Sequence, residues 1–189
     1  MRMLVVLVAT VAFWVPQSRA ASIGLFADPD CVSCDLRIPS TPGAGVFYIA
    51  VSGATTAPEY CEGITLAEFR IVGLPLGWEV SLTPYAGTSV VGHPFGAGVN
   101  VSFAWPQPGD CVLLYLGTLT PAAPGAEAVL GASAHSTPRN PSWECPVVRP
   151  GNCGSAFCVD GGALYVNSTT LCSTTISKTT WERVKRLYQ

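Results

Sequence analysis

The chain alternates apolar and polar residues with a period of two, in runs stopped by Pro and Gly. In VFYIAVSG, Phe47, Ile49 and Val51 share one face. In LAEFRIVG, Ala67, Phe69 and Ile71 point one way while Glu68 and Arg70 point the other. In GWEVSLTP, Trp78, Val80 and Leu82 alternate with Glu79, Ser81 and Thr83, and in GVNVSFAW, Val99, Val101, Phe103 and Trp105 alternate with Asn100, Ser102 and Ala104. Successive side chains of a strand leave opposite faces, so this pattern is that of antiparallel strands with one face buried. CVLLYLGTL is apolar on both faces and reads as a central strand; ASIGLFAD, AEAVLGASAH and GALYVN add more. The breakers PSTPGAG, GLPLG, HPFGAG, PQPGD and TPAAPGAE set turns and stop helices. Some eight short strands with no helical period before the C-terminus predict an all-β chain, an antiparallel β-sandwich.

The first residues, MRMLVVLVATVAFWVPQSRAA, place Arg2 before the apolar run Leu4–Val15, then Pro16 and the small residues Ser18 and Ala20. That is the layout of a signal peptide cleaved near Ala20-Ala21. The apolar run is shorter than the roughly 20 residues a membrane helix needs. The expectation is an exported chain (extracellular, periplasmic or cell-surface) with no transmembrane segment in its mature part. Losing Arg2 and Arg19 takes the ten basic residues to eight against twelve acids. An acidic body excludes nucleic acid as a partner, because that role needs a basic face.

Eight cysteines fall in the mature part: Cys31, Cys34, Cys61, Cys111, Cys145, Cys153, Cys158 and Cys172. An even count in an exported chain reads as disulfides, and the possible pairings number about a hundred. Short loops suggest Cys61 with Cys31 or Cys34, and the last four among themselves. The C-x-x-C of Cys31 and Cys34 lies among Asp28, Asp30 and Asp35 with no helix to follow, so its thiols would be raised in pKa and a redox role is disfavoured. Zinc would need four converging ligands and no His is near Cys153 or Cys158; the Asp cluster lacks the Gly and terminal Glu of an EF-hand. His93 and His135 are the two histidines, in GHPFGAG and AHSTPRN, with no G-x-S-x-G motif. No catalytic residue, cofactor or metal site is therefore expected. Asn100-Val101-Ser102 and Asn167-Ser168-Thr169 match the glycosylation sequon. Trp78, Trp105 or Trp143, if exposed, would suit a sugar; the ordinary role of such residues is core.

The pattern changes near Ser136. Residues 21–135 read as the sandwich body, 136–178 as a Cys- and Pro-rich extension packed on it, and 179–189, TTWERVKRLYQ, as a short basic amphipathic helix after the signal peptide (1–20), body and extension. Thr179 and Glu182 fit a capping box. Trp181, Val184 and Leu187 with Tyr188 form one apolar stripe, while Lys185 and Arg186 complement the helix dipole near its C-terminal end. The stripe and Lys185 are the expected packing or contact residues. The alternatives are a terminal address read by export machinery or contact with an anionic surface.

The order IGLFAD, FYIAV, GITLAEFRIVGLPLGW, VSLTP, CVLLYLGTL and TWERVKRLY resembles a group of uncharacterised secreted bacterial proteins with a β-rich body and a T-W-x-x-(V/I)-K ending. That group carries no assigned activity, so the resemblance implies class and location. GITLAEFRIVG followed by VLLYLGTLTP and GAEAVLGAS also resembles cohesin-type β-sandwich modules, which are binding or scaffold units; the eight cysteines depart from their pattern. The resemblance implies an Ig-like or cohesin-like sandwich acting as a secreted or cell-surface structural or binding module; its partner is not read from the sequence, protein or carbohydrate at the cell surface being the candidates. The alternative is a small secreted hydrolase using His93 or His135.

Overall fold

A computed structural model describes residues 21–39, 43–53, 63–151, 154–170 and 172. Thirteen strands run in chain order: β1 (Ser22–Phe26), β2 (Asp35–Leu36), β3 (Gly45–Ser52), β4 (Ile64–Val72), β5 (Glu79–Pro84), β6 (Thr88–His93), β7 (Gly98–Gln107), β8 (Cys111–Thr120), β9 (Ala128–Ser133), β10 (Val147–Pro150), β11 (Phe157–Cys158), β12 (Asp160–Gly161) and β13 (Ala163–Val166). Among the described residues there is no helix. The expected signal peptide and the expected tail helix, with Trp181, Val184, Lys185, Leu187 and Tyr188, lie outside the described residues.

The strands form two sheets. The first has the order β12-β1-β3-β8-β5. The second has the order β11-β10-β4-β9-β13-β2, with β7 on the other side of β4 and β6 beyond it. Most pairs are antiparallel; β1 with β12 and β2 with β13 are parallel. β9 and β10 share one side of β4 end to end, since Glu68 faces Val147 and Arg70 faces Ser133. The eight expected strands all form, as β1, β3, β4, β5, β7, β8, β9 and β13, and β2, β6, β10, β11 and β12 are added. The four-residue β10 and the two-residue β2, β11 and β12 are too short to show a period.

The core lies between the sheets. Ile23, Leu25, Phe47, Ile49, Val51, Leu114 and Leu119 face it from the first sheet, and Ile64, Phe69, Val99, Val101, Leu130 and Leu164 from the second, all fully buried. Each such side chain stabilises the fold by about 1.5–3 kcal/mol relative to exposure. Packing is close: a Cβ on Gly117 would stand 2.3 Å from Cζ of Phe47, so the ring lies across the glycine of β8.

Two departures from the simple alternation follow from what lies outside the sheets. Glu68, on the outward face of β4, is only 1 % exposed because the segment after β9 crosses it. There the Arg139 amide donates to Glu68 Oε1 at 3.1 Å, and the Arg139 guanidinium lies 3.8 Å from Oε2. Trp105 leaves the apolar stripe of β7 and is 76 % exposed. Between the pairs Leu66↔Ser102 and Ile64↔Gln107, β7 takes five residue steps against two on β4, and the extruded bulge turns the indole outward.

Among the described residues, three disulfides join Cys31 to Cys111, Cys34 to Cys172 and Cys145 to Cys158. Cys145–Cys158 falls within the last four cysteines as expected; the other two bridges correct the short-loop pairings. Cys31 and Cys34 each reach far along the chain, across 80 and 138 residues, so neither is the partner of Cys61. Cys172 leaves the C-terminal group for Cys34. The topology is the reason: the register sets Cys111 level with Ser22, and the β1–β2 loop folds back from Phe26 over the outward face of the sheet to meet it, while β13 runs along β2 and brings Cys172 to the same loop. Cys61 and Cys153 lie outside the described residues.

Candidate functional site

Both histidines come to one corner of the second sheet. His93 ends β6 opposite Gly98 in register. His135 follows β9 and lies over Gly98: a Cβ there would be 2.3 Å from the imidazole Cδ2. Gly98 also has φ +128°, a conformation that side chains rarely adopt, so glycine alone suits this corner. Ser136 N–H donates to the Ala97 carbonyl at 2.8 Å, holding the His135 loop against the β6–β7 turn.

The rings are used by their own loops. His93 Nδ1 accepts from the Phe95 amide at 3.3 Å, and His135 Nδ1 from the Thr137 amide at 3.1 Å. A neutral imidazole that accepts at Nδ1 carries its proton on Nε2, leaving no lone pair there to deprotonate a nucleophile. A triad base needs the opposite arrangement, with Nδ1–H donated to an acid. The corner is built as a turn closure.

The acidic loop is likewise self-contained. Asp28 accepts at Oδ1 from the amides of Asp30 (3.0 Å) and Val32 (3.1 Å), and at Oδ2 from that of Ser33. These bonds shape the turn that sets Cys31 against Cys111 and Cys34 against Cys172. Among the described residues no group of three or more His, Cys, Asp or Glu is placed to hold a metal ion. Cys31, with a positive φ of 58°, and Cys34 are both in disulfides and almost buried.

The two sequon asparagines lie within a strand or directly after one. Asn100 sits in mid-strand on β7, between β4 and β6. Asn167 has φ 52°; its Oδ1 accepts from the Ile38 amide at 2.8 Å and its Nδ2 donates to the Ala126 carbonyl at 3.1 Å. One side chain thereby ties β13 to the chain after β2 and to the β8–β9 loop. Of the tryptophans, Trp78 is buried, Trp143 half-buried and Trp105 exposed.

The surface that sequence reasoning missed is the outward face of the first sheet. Val46 (45 % exposed), Leu116 (41 %), Tyr48 and Leu113 stand there, and Phe26, Ala50 and Cys31 close a small second cluster at its disulfide end. The available signal was CVLLYLGTL itself: a strand apolar on both faces implies a second cover.

No protein-family model and no curated protein matches this sequence. Among solved structures the fold is similar to a cohesin module from a family 33 glycoside hydrolase of Clostridium perfringens, with TM-score 0.51 and 10 % identity over 78 % of this chain and 97 % of that one. A non-cellulosomal cohesin from the archaeon Archaeoglobus fulgidus aligns with TM-score 0.46 and 10 % identity, over 87 % and 97 % of the two chains. The first of these sets the class: a two-sheet β-sandwich of cohesin-like fold, here closed by disulfides. At that identity the likeness is one of architecture.

Proposed function

We propose that the chain is an exported, non-enzymatic structural or binding module, of scaffold or adhesion type, working outside the cell or at its surface. The observation that carries the reading is the combination of a cohesin-like sandwich with disulfides that tie its loops to its strands. Disulfides persist in oxidising compartments, and a sandwich so closed presents rigid faces to a partner. The N-terminal signal-peptide pattern supports export. No helix among the described residues is long and apolar enough to cross a membrane.

The rival is a hydrolase using His93 or His135, and one experiment separates the two. The purified chain from Ala21 onward and its His93→Ala/His135→Ala variant are assayed on ester, glycoside and peptide substrates, and the labelled protein is titrated onto intact cells and envelope fractions. A binding module gives saturable binding that the double variant retains, with no turnover above buffer. Turnover that disappears in the double variant would overturn the proposal.

A further inference from the structure

β8 sets up the inference. Its inner residues Val112, Leu114 and Leu119 are buried in the core, yet Leu113 and Leu116 on its outer face are apolar too. The register gives that face row by row: Gly24, Ala50 and Leu113; then Phe26, Tyr48, Leu116 and Thr83; then Val46, Thr118 and Ser81. No charged residue stands in these rows. The first row is already buried beneath the β1–β2 loop, with Ala50 and Phe26 packed against Cys31, so the open part of the face is the patch of Leu116, Tyr48 and Val46 with Thr118 beside it.

The face begins at the Cys31–Cys111 bridge, where Phe26 and Leu113 pack beside the disulfide. The Asp28 and Asp30 loop rims that end. Cys34, bonded to Cys172, is three residues from Cys31 and so within about 11 Å of it. The C-terminal segment therefore starts from the acidic end of the face. Seven residues on, a span of at most about 24 Å, comes Thr179. The eleven residues from there, as a helix, would measure about 16 Å, enough to lie across the patch. They carry the stripe Trp181, Val184 and Leu187, and Lys178, Arg183, Lys185 and Arg186 oppose a single Glu182 in the last twelve residues.

We propose that Thr179–Gln189 is the cover of this face: its apolar stripe packs on Val46, Tyr48 and Leu116, and its cations face the Asp28 and Asp30 rim. Two observations agree on this occupant: the tether at Cys34–Cys172, from which the segment can reach the patch, and the opposite charge. A helix this short does not hold in isolation, but a tether of a few residues gives an effective concentration of order millimolar, and folding is coupled to docking. The inference does not depend on which partner the module binds, and its experiment reads the tail alone.

The test is limited trypsin digestion of the chain from Ala21 onward, with tail release at Arg183, Lys185 and Arg186 followed by intact mass. The expected result is slow release from the unmodified protein and release at least tenfold faster from Leu116→Asp and from Val46→Asp. Both sites are partly exposed, so the sheet tolerates the changes; unchanged near-ultraviolet circular dichroism verifies this. Val91→Asp, at a 69 % exposed site on β6 of the other sheet, is expected to leave the rate as it was. Equal, fast release from the unmodified protein and from both Asp variants would overturn the proposal. Protection lost on dilution together with a dimeric mass by light scattering would overturn it in favour of a second copy. Protection seen only when envelope extract is added would overturn it in favour of a separate protein.

Discussion

Replacing Asn167 by Ala tests whether the second sequon is a structural clamp. The side chain makes two hydrogen bonds, accepting from Ile38 N–H at 2.8 Å and donating to the Ala126 carbonyl at 3.1 Å. Each neutral bond contributes about 0.5–1.5 kcal/mol net. Asn167 also holds φ at 52°, where Asn is tolerated and Ala costs about 1 kcal/mol more. The sum for Asn167→Ala is about 2–4 kcal/mol, a large share of a typical domain stability of about 5–15 kcal/mol. Asn167→Gly relieves the backbone conformation but not the lost bonds, so it should lie about 1 kcal/mol above the Ala variant in stability. Asn167→Asp keeps the acceptor for Ile38 but sets a carboxylate oxygen against the Ala126 carbonyl, so it too should be destabilised. Urea unfolding with the disulfides intact gives the differences as midpoint shifts at constant slope. A loss below about 0.5 kcal/mol for Asn167→Ala would refute the clamp, and equal midpoints for Ala and Gly would refute the backbone contribution.

Three further outcomes are expected. Burial pushes the Tyr115 phenol up to about 12. The fold thus keeps a proton that the unfolded chain releases from about pH 10; the stability is whole below pH 10 and falls by up to about 2–3 kcal/mol as pH rises towards 12. Tyr115→Phe should flatten that alkaline limb in urea midpoints taken between pH 9 and 12; an unchanged slope would sink the assignment. Gly117→Ala sets a methyl 2.3 Å from the Phe47 ring and should cost about 1–3 kcal/mol in thermal unfolding, partly restored by adding Phe47→Leu; full stability in the single variant would contradict the packing. Finally, the β4–β10 ladder pairs Ile64 with Pro150 and continues as Gly151 N–H donates to the Gly63 carbonyl, two residues short of Cys61 and Cys153. Those two are the cysteines left by the three bridges, so peptide mapping under non-reducing conditions should find them linked; free thiols at both would refute this.

What the sequence discloses here is decided by range. Which face of a strand points inward is local, carried by the neighbour two residues away, and Phe47, Ile49, Val51, Phe69 and Val99 all lie where their period sends them. What lies on the other face is set by segments far along the chain. Glu68 reads as a solvent-facing carboxylate because nothing near it in sequence says that Arg139, 71 residues later, will cross above it. Disulfide partners are non-local in the same way: loop length favours near neighbours, whereas sheet order joined Cys34 to Cys172 across 138 residues. Turn chemistry falls between these ranges. The two histidines could be located in turns from the flanking Gly and Pro, but only the three-dimensional corner at Gly98 shows each Nδ1 filled by an amide two residues on. That detail decides chemistry, because it fixes where the ring proton sits. One residue pattern reached beyond its own range: the two-sided apolarity of β8 implies a cover on each face, and the described residues supply the inner one through the second sheet and part of the outer one through the Cys31 loop packed on Leu113.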